Sequence, residues 1–399
     1  MSKKRIVVLG GSFAGMTAAI EIKNKLGDRH EVTAISKAAD FLFMPSLIWV
    51  PFGRRKREDI TFALAPVFEK KRVRFMNADI TRIDLRQRCV EDSSGAKTEY
   101  DYLVIATGPK LDYDDVKGLG PSGFTQSIFS WADADRAREA FERFVADPGP
   151  VVVGGVQGAS CFGAAYEFLF NMAYELKKRD LQSRAPLTYV TAEPFLAHFG
   201  IGGFGSGTKM TEMFFKHLNI DGVTNAKVRE FTKDEVRLES GQSIPFKYAM
   251  FAPRFLGVDA VRALTEITTP TGFVKVNAQY QTEAYPEVYA AGVAVQVDPP
   301  MATPVPCGVP KTGYLSEEMA RVVAHNIVAT IMGEPLIGLP AGSIDAKCVL
   351  DAGNNGIIMT SDHFLEPRDH AWLIPGPEAH WAKLAFEKYF LATHKHGHV

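Results

Sequence analysis

Apolar runs and amphipathic stretches alternate along this chain, and the alternation predicts strands and helices in turn. An apolar run that ends in glycines covers residues 5–11, a helical pattern follows over 14–25, and a second strand covers 31–35. This order predicts the opening of a parallel α/β sheet. Further strands are predicted over 100–108, 150–158, 187–191 and 288–292, and further helices over 132–145, 314–332, 378–393 and from Cys161 to Phe170.

The first strand ends in a turn that matches part of a dinucleotide-binding fingerprint. Gly10 and Gly15 take the first and last glycine positions of G-x-G-x-x-G, and Ser12 takes the middle one. A tight turn at Gly10 directs backbone N–H groups and the positive end of a helix toward a pyrophosphate, and Gly15 permits close helix–strand packing. The second strand leads into Ser36 and Lys37, where such sites usually carry an acid for a ribose hydroxyl. A purely structural turn is the alternative, but the flanking strand and helix favour nucleotide binding.

Two later strands end in segments that resemble the remaining motifs of flavoproteins with two dinucleotide-binding folds. Residues 100–108 end in Ala-Thr-Gly, at Thr107 and Gly108, and residues 288–292 end at Gly292. Val293 follows where the late motif of that family carries an aspartate. A contact to the flavin ribityl chain would therefore come from backbone near Gly292.

A second unit of the nucleotide-binding type begins at residue 150. Val153 replaces its first fingerprint glycine, and Glu193 comes too late for a ribose-binding acid, so we predict that this half serves another task. The predicted fold is α/β, with two Rossmann-like domains of the FAD/NAD-linked reductase type and a C-terminal helical segment. We predict an FAD-binding domain over 1–115 and 275–334, a second Rossmann-like domain over 116–274 and a C-terminal segment over 335–399. The runs 251–253 and 292–297 are expected to return the chain to the first domain.

Composition excludes some classes of protein. The 399 residues include 45 Lys and Arg and 46 Asp and Glu, so the net charge of −1 gives no reason to expect a nucleic-acid partner. No stretch of about eighteen apolar residues predicts a transmembrane helix. The first strand begins almost at Met1, which leaves no room for a secretion signal, so we expect a cytoplasmic protein. Association into a homo-oligomer stays open.

Four cysteines in so long a chain do not make a disulfide framework, which favours redox roles for any that pair. Cys161 is predicted near a helix N-terminus, where the helix dipole lowers a thiol pKa and favours the reactive thiolate. Cys348 lies far along the chain, so only the fold could bring the two together. The alternative for each is a small buried apolar side chain. Cys89 is predicted on a surface strand.

Segments along nearly the whole chain resemble the sulfide:quinone oxidoreductases, which are related to flavocytochrome c sulfide dehydrogenase and to type II NADH dehydrogenases. They are FLFMPSLIWV (41–50), YDYLVIATGPKL (100–111), GASCFGAAYEF (158–168), EPFLAHFGI (193–201), TPVPCGVPKTGY (303–314), KCVLDAG (347–353) and HWAKLAFEKYF (380–390). The resemblance implies FAD as cofactor and Cys161 and Cys348 as the redox pair beside the flavin. It also implies that hydrogen sulfide is oxidised to polysulfide or zero-valent sulfur and that the electrons pass through the flavin to a membrane quinone.

The same resemblance implies roles for other residues. Glu167 and His198 are candidates for acid and base catalysis, with a helix-surface carboxylate and an ordinary loop histidine as the alternatives. Phe390 and Tyr389 are candidates for quinone contact. No metal site is predicted, because the histidines of residues 394–398 are interpreted as a solvated terminus. The predicted cofactor contacts are Gly10, Ser12, Gly15, Ser36, Lys37, Ala78, Thr107, Gly108, Gly292, Lys311, Gly313 and Lys388.

The last predicted helix, 378–393, has a broad apolar and aromatic surface. One interpretation is an interfacial anchor that makes peripheral contact with the cytoplasmic side of a membrane. The other is burial against the flavin domain, because apolar stripes at helical spacing usually face a core.

Two departures from the family pattern keep other functions open. Phe129 and Asp133 stand where quinone-reducing members commonly carry Cys and His, and Cys307 is interpreted as a packed side chain rather than a replacement. The alternatives are a sulfide dehydrogenase that donates to a cytochrome, a type II NADH:quinone oxidoreductase, and a flavin-containing binding protein without turnover. Val153 disfavours the NADH enzyme, and the lack of a cysteine in residues 41–50 disfavours a covalent-flavin enzyme.

Overall fold

The structure is a computed structural model that describes residues 2–399. Its strands are, in chain order, β1 (Arg5–Leu9), β2 (Glu31–Ser36), β3 (Asp40–Leu42), β4 (Thr61–Ala63), β5 (Arg74–Asn77), β6 (Ile80–Asp84), β7 (Cys89–Asp92), β8 (Lys97–Glu99), β9 (Tyr102–Ile105), β10 (Pro109–Asp112), β11 (Val151–Gly155), β12 (Leu187–Thr191), β13 (Ile220–Val223), β14 (Val228–Phe231), β15 (Glu235–Leu238), β16 (Ser243–Pro245), β17 (Tyr248–Ala252), β18 (Arg254–Gly257), β19 (Val288–Ala290), β20 (Ala346–Asp351), β21 (Gly356–Ser361) and β22 (Ala371–Pro375). Its helices are α1 (Phe13–Leu26), α2 (Leu64–Lys70), α3 (Trp131–Ala146), α4 (Phe162–Lys178), α5 (Gly207–Leu218), α6 (Asp259–Arg262), α7 (Gly313–Met332) and α8 (Pro377–His394).

The first parallel sheet has the strand order β19-β9-β1-β2-β5. Strand β1 pairs in parallel with both β2 and β9, and its residues Ile6–Leu9 are buried. A continuous apolar run is what a strand in the middle of a covered parallel sheet requires. Helices α1 and α7 pack against each other. Because the strands pair in parallel, the carboxyl ends of β1, β2, β9 and β19 lie at one edge of this sheet.

The second parallel sheet has the order β13-β12-β11-β17, and a three-stranded antiparallel sheet β14-β15-β16 accompanies it. In β17, Phe251 and Ala252 pair with Gly154 and Gly155 of β11. The prediction that residues 251–253 return to the first domain is therefore wrong. The antiparallel pair β10–β18 follows immediately after β17. The predicted α/β fold with two Rossmann-like parallel sheets is confirmed.

The C-terminal part contains an antiparallel sheet, β20-β21-β22, followed by α8. The sequence predicted only a helical segment here, because these strands are partly exposed and lack the continuous apolar runs of β1 and β11. Strand β20 packs against both α4 and α8. Within residues 2–399, no helix combines the length and the apolar character that crossing a membrane demands.

Candidate active site

Glycine turns lie at the carboxyl edge of the first sheet, where the sequence predicts a nucleotide site. Gly10 has φ +116°, and a Cβ there would lie 2.1 Å from the carbonyl oxygen of Ala106. A Cβ at Gly15 would lie 2.1 Å from the carbonyl oxygen of Gly10. Only glycine permits these approaches of helix to strand and of strand to strand. Ser12 precedes α1 without a side-chain cap, and the first turn of α1 has no acidic residue, so its N–H groups suit an anionic group.

The neighbouring strands end at the same place. Gly108 has φ +73° with open space where a Cβ would point, and it follows Thr107. A Cβ at Gly292 would lie 3.0 Å from the Ala14 Cβ, and one at Gly313 would lie 2.7 Å from the Phe13 ring. These glycines therefore gather around the first turn of α1. The arrangement fits a dinucleotide pyrophosphate.

The end of β2 supplies the remaining predicted contacts on that side. A Cβ at Gly11 would lie 3.0 Å from the Ser36 hydroxyl, so Ser36 adjoins the glycine turn. The Ala78 N–H donates to the Ser36 carbonyl at 3.0 Å. Lys37 is exposed and pairs with Asp79 at 2.7 Å. Of the two polar side chains Ser36 and Lys37, Ser36 is therefore the one that adjoins the glycine turn.

Lys311 lies beside this edge just before α7. Its ammonium donates to the Val295 carbonyl at 2.7 Å and lies 3.7 Å from the centroid of the Phe273 ring. Burial lowers the pKa of Lys311 to about 7. The side chain is therefore poised to take up a proton when negative charge develops nearby.

The fold brings the segments of Cys161 and Cys348 together. Cys161 immediately precedes α4, Cys348 lies in β20, and α4 packs against β20. Both cysteines are half-buried. A negative charge on Cys348 would raise the pKa of Cys161.

The expected low pKa of Cys161 is wrong in direction. Burial raises the pKa of Cys161 to about 12, and the N–H of Ala164 at the start of α4 lowers it by less. Burial also raises the pKa of Cys348 to about 11. The helix end acts on Cys161 as expected, but loss of solvation outweighs it. Both groups are neutral thiols near pH 7.

Glu167 lies one turn and a half into α4 and is 5% exposed, so it is not a helix-surface carboxylate. It forms an ion pair with Lys383 of α8 and accepts the Asp351 N–H at 2.7 Å. Burial raises its pKa to about 7, although Lys383 opposes that shift. Its charge acts on the pKa of both Cys161 and Cys348. Glu167 is therefore placed to exchange a proton with the cysteine pair near neutral pH.

Asp351 ends β20 and connects three segments. Its carboxylate accepts the Trp49 indole N–H at 2.8 Å and lies 2.5 Å from Nδ1 of His380. Asn171 of α4 donates to the Asp351 carbonyl at 2.9 Å. These bonds hold the Cys348 strand against α4, α8 and the 3-10 helix Met44–Trp49.

His198 lies in a loop between β12 and α5 and is 1% exposed. Its Nδ1 accepts the Gly200 N–H at 3.2 Å, and its Nε2 is buried without a hydrogen-bond partner among residues 2–399. Burial lowers the pKa of His198. A Cβ at Gly200 would lie 2.0 Å from the Gly308 carbonyl, and the Gly308 N–H donates to Ala159 at 2.8 Å. The His198 loop is thereby linked to the turn that precedes Cys161.

The last helix contributes both to the core and to the surface. Phe390 is 3% exposed and packs against Phe13 and Phe43, at 5.2 and 5.0 Å between ring centroids. His394 stacks on Phe390 at 3.5 Å and pairs with Glu317 at 3.0 Å. The interpretation of His394 as part of a solvated terminus is therefore wrong, because α8 continues to this residue and buries it.

The opposite face of α8 is exposed. Trp381 and Tyr389 are 67% and 68% exposed, and Phe386 is 47% exposed. Lys388 also lies on this face and lines an open groove with Phe62 and other side chains. The two interpretations of the helix each describe one face. The buried lysine of α8 is Lys383, and the assignment of Lys388 to the flavin stays a prediction.

The other two cysteines, and the two residues that depart from the family pattern, are packed or hydrogen-bonded within the protein. Cys307 is buried, and its Sγ lies 3.7 Å from the Val305 carbonyl. Cys89 is 6% exposed, so its predicted surface position is wrong; the charged neighbours along β7 gave the misleading signal. Phe129 packs edge-on against Phe255 at 5.6 Å, and Asp133 accepts the Tyr113 hydroxyl at 2.8 Å.

Sequence reasoning missed Lys383, Asp351, Trp49 and His380, although all four lie in segments that carry the family resemblance. Their importance comes from contacts between distant segments, which spacing does not reveal. An aspartate within an otherwise apolar strand segment and a lysine within an aromatic helix were the available signals, since charged residues are rarely buried without partners.

Comparison with known proteins identifies the class. Residues 4–305 match the family model described as pyridine nucleotide-disulphide oxidoreductase, so the chain belongs to that family. It is 38% identical over 405 aligned positions to the sulfide-quinone reductase of Aquifex aeolicus, covering 99% of this chain and 92% of that protein. The X-ray structure of the sulfide:quinone oxidoreductase from the same bacterium superimposes with a TM-score of 0.94 at 37% identity, covering 99% of this chain and 92% of that one.

The chain is therefore an oxidoreductase of the sulfide:quinone oxidoreductase family, as its motifs indicate. A structure of NDH2 from Plasmodium falciparum in complex with NADH also superimposes, with a TM-score of 0.75 at 15% identity, covering 99% of this chain and 96% of that one. At that identity the similarity concerns the fold alone.

Proposed function

We propose that this protein oxidises hydrogen sulfide through a Cys161–Cys348 redox pair and passes the electrons through FAD to a quinone. The observation that carries the proposal is the meeting of the Cys161 helix end with the Cys348 strand, next to the buried Glu167. Membership of the sulfide:quinone oxidoreductase family supports the same conclusion. The product we expect is polysulfide or zero-valent sulfur.

The nucleotide site supports FAD as the cofactor. The glycine turns at Gly10, Gly108 and Gly292 and the uncapped start of α1 would hold the pyrophosphate and the ribityl chain. When bound, FAD supplies a two-electron carrier between sulfur and quinone. Lys311 would offset negative charge on the reduced ring, because its pKa of about 7 lets it gain a proton there.

The sulfur step is a thiol–disulfide exchange. Hydrosulfide attacks one sulfur of a Cys161–Cys348 disulfide, so an S–S bond forms between substrate and one cysteine while the Cys161–Cys348 bond breaks. The other cysteine leaves as a thiolate. Burial favours the protonated thiol over this thiolate, and Glu167 is the nearby group that can give or take the proton near pH 7. Loss of two electrons, which bound FAD would accept, would then join the persulfide and the thiolate in a trisulfide bridge with release of a proton, and a further hydrosulfide can open that bridge. The sulfide sulfur thus loses two electrons overall, and the quinone gains two electrons and two protons to become a quinol.

Phe390 and Tyr389 are the proposed quinone contacts. Phe390 packs against Phe13, the first residue of α1, while Tyr389 is exposed on the same helix. These adjacent residues therefore connect the nucleotide site with the outer surface.

The exposed side of α8 supports peripheral contact with a membrane. Trp381, Phe386 and Tyr389 are exposed on α8, and Trp372 and Ile374 are exposed on β22. Aromatic side chains on one face of an amphipathic helix favour the membrane–water interface. A lipid-soluble quinone could then approach the exposed Tyr389 from the bilayer, next to the buried Phe390. The cytoplasmic side stays a prediction from the sequence.

One observation disfavours the type II NADH dehydrogenase alternative. Glu193, the acid nearest to the end of β12, is fully buried, with Thr191 and Tyr166 among its hydrogen-bond donors. It therefore has no free oxygen to offer to an adenosine ribose.

An anaerobic titration of the purified holoenzyme tests the proposal. Sulfide should bleach the oxidised flavin absorbance, and a soluble quinone should restore it. Cys161→Ser and Cys348→Ser should each abolish bleaching, while Cys89→Ser and Cys307→Ser should retain it. Bleaching by NADH but not by sulfide would contradict the proposal, and reoxidation by cytochrome c but not by quinone would assign the acceptor to the cytochrome class.

A further inference from the structure

Glu193 is a buried carboxylate that the sulfur chemistry proposed above does not use. It is fully buried, yet no lysine or arginine pairs with it within the described part of the chain. Its carboxylate accepts hydrogen bonds from the Phe199 N–H at 2.7 Å, the Thr191 hydroxyl at 2.8 Å and the Tyr166 hydroxyl at 3.0 Å. Keeping such a group in the interior is costly, and it calls for a reason beyond packing.

Glu193 and its hydrogen-bond partner Tyr166 bind the two residues that flank His198. Ala197 and Phe199 both have left-handed backbone conformations, with φ of +61° and +56°. Side chains with a Cβ rarely adopt this conformation, so the loop is strained on both sides of His198. The N–H of Phe199 is bonded to Glu193, and the N–H of Ala197 is bonded to the Tyr166 hydroxyl at 2.8 Å. The Glu193–Tyr166 pair thus holds both strained residues.

The conformation that results fixes the state of the imidazole. Because the Gly200 N–H donates to Nδ1 of His198, that nitrogen is unprotonated, and the proton of the neutral ring lies on Nε2. Nε2 is buried and has no partner within residues 2–399. A buried donor without a partner costs free energy in the protein alone, and a bound acceptor would remove that cost.

The same pair connects this donor to the redox cysteines. Tyr166 lies on α4, the helix that Cys161 precedes, and its ring packs against Phe199 at 5.4 Å between centroids. Gly200, two residues after His198, adjoins Gly308, which is bonded to the turn before Cys161. The His198 loop therefore keeps its position relative to Cys161 through two separate contacts.

We propose that Glu193 and Tyr166 are positioning residues that hold His198 as a neutral hydrogen-bond donor for the anionic sulfur substrate. The inference rests on the proposed sulfide oxidation. Glu193 and Tyr166 do not touch the substrate, and their effect passes through the orientation and tautomer of His198. The acceptor at Nε2 is hydrosulfide or the growing persulfide or polysulfide chain.

A double-mutant cycle on the holoenzyme tests this inference. The rate of flavin reduction by sulfide is measured in stopped flow for the wild type, Glu193→Ala, His198→Ala and the double variant. We expect Glu193→Ala to slow reduction by about tenfold to a hundredfold, as a small misplacement of a catalytic group does. The double variant should be no slower than His198→Ala alone, because both changes remove the same donor. Multiplied effects, or an unchanged rate in Glu193→Ala, would overturn the proposal.

Two further arms keep the test independent of folding and of turnover. Glu193→Gln keeps an oxygen acceptor for the Phe199 N–H and should retain most of the rate, and Tyr166→Phe replaces Glu193→Ala in the cycle if that variant does not fold. In ¹⁵N-histidine spectra assigned with His198→Ala, the ring should stay in the Nε2–H form in the wild type and Glu193→Gln. It should lose that fixed tautomer in Glu193→Ala, and an unchanged tautomer there would also overturn the proposal.

These arms separate the inference from the proposed function. If sulfide does not reduce the wild-type flavin, sulfide oxidation by this protein is refuted, and the inferred role of His198 in it falls as well. If sulfide reduces the wild type and the cycle is multiplicative, sulfide oxidation stands and only the roles of Glu193 and Tyr166 are refuted.

Discussion

Glu167 and Lys383 form an ion pair in the interior that connects α4, the helix following Cys161, to α8, the last helix of the chain. The two residues are 5% and 4% exposed. Neither charge has bulk water to solvate it, so Glu167 depends on Lys383 and on the Asp351 N–H, and Lys383 depends on Glu167. The pair therefore links the helix that follows Cys161, at the proposed sulfur site, to the position of α8.

Removal of one partner should destabilise the protein strongly. Lys383→Met leaves Glu167 buried without its cation, and we expect a loss of about 3–5 kcal/mol in the free energy of unfolding at pH 8. Chemical denaturation of the holoenzyme measures the loss. The double variant Glu167→Gln/Lys383→Met should recover much of it, and Lys388→Met, on the exposed face of α8, should change stability by less than about 0.5 kcal/mol. Equal losses in the two lysine variants would contradict the burial argument.

Glu193 should give the protein a stability that falls as pH rises. Burial raises its folded-state pKa to about 7, above the ordinary value of 4.5 for the unfolded chain. Between these values the folded state binds more protons than the unfolded state, so stability decreases with increasing pH. Glu193→Gln should remove this dependence, a difference in slope of up to about 1.4 kcal/mol per pH unit. Parallel unfolding curves for the two proteins at pH 5 to 7 would refute the raised pKa.

The thiols of Cys161 and Cys348 should alkylate slowly in the reduced, folded protein. With pKa values of about 12 for Cys161 and about 11 for Cys348, only a minute fraction of either is thiolate at pH 8. We expect iodoacetamide to modify them about a hundredfold more slowly than the same cysteines in denaturant, with a rate that still rises above pH 9. Mass spectrometry of single-cysteine variants follows each site. Rates in the folded protein that level off below pH 8 would contradict the raised pKa values.

The exposed face of α8 should decide membrane contact. Trp381→Ala and Tyr389→Ala should each weaken binding to phosphatidylcholine vesicles by about tenfold, because each removes a large apolar surface from the interface. Phe124→Ala is the control, since Phe124 is 46% exposed but lies in the segment between β10 and α3 rather than on α8. Sedimentation with vesicles gives the partition. Equal binding by all three variants would remove α8 as the contact.

Lys311 should set the redox potential of the bound flavin. Lys311→Met removes the group that can gain a proton as the ring is reduced, so the two-electron midpoint potential should fall by about 30 mV for each tenfold loss in relative affinity for the reduced form. Titration against reference dyes measures the potential. A potential that rises or stays constant would place Lys311 outside the influence of the flavin.

Hydrophobic periodicity along the chain predicted several strands and helices accurately. Strand β2 was predicted one residue short, and α1 and α7 within one residue at each end, because apolar runs and helical periodicity set them. Helix α4 was predicted to end at Phe170, because Asn171 interrupts the apolar pattern there. The helix instead continues to Lys178. The Asn171 side chain donates to the Glu167 carbonyl within α4 and to the Asp351 carbonyl of β20.

The errors at individual side chains share a physical cause. Cys161 and His394 were interpreted from their neighbours in the chain, whereas burial by distant segments determines both. The protein interior reverses the expected pKa shift of Cys161, and Glu317 of α7 provides the partner of His394. The meeting of Cys161 with Cys348 could be expected only from the family resemblance, since it depends on the packing of α4 against β20.

Two consecutive residues of α4 contact different parts of the candidate site. Tyr166 is directed to the loop of His198, and Glu167 to the last helix. Helix α4 therefore fixes both the contact to the His198 loop and the contact to α8, and a tilt of the helix that improves one contact would disturb the other. Attempts to adapt this scaffold to a different electron acceptor by redesigning α8 should keep the Lys383 contact, since the proposed sulfur site lies on the same helix, α4.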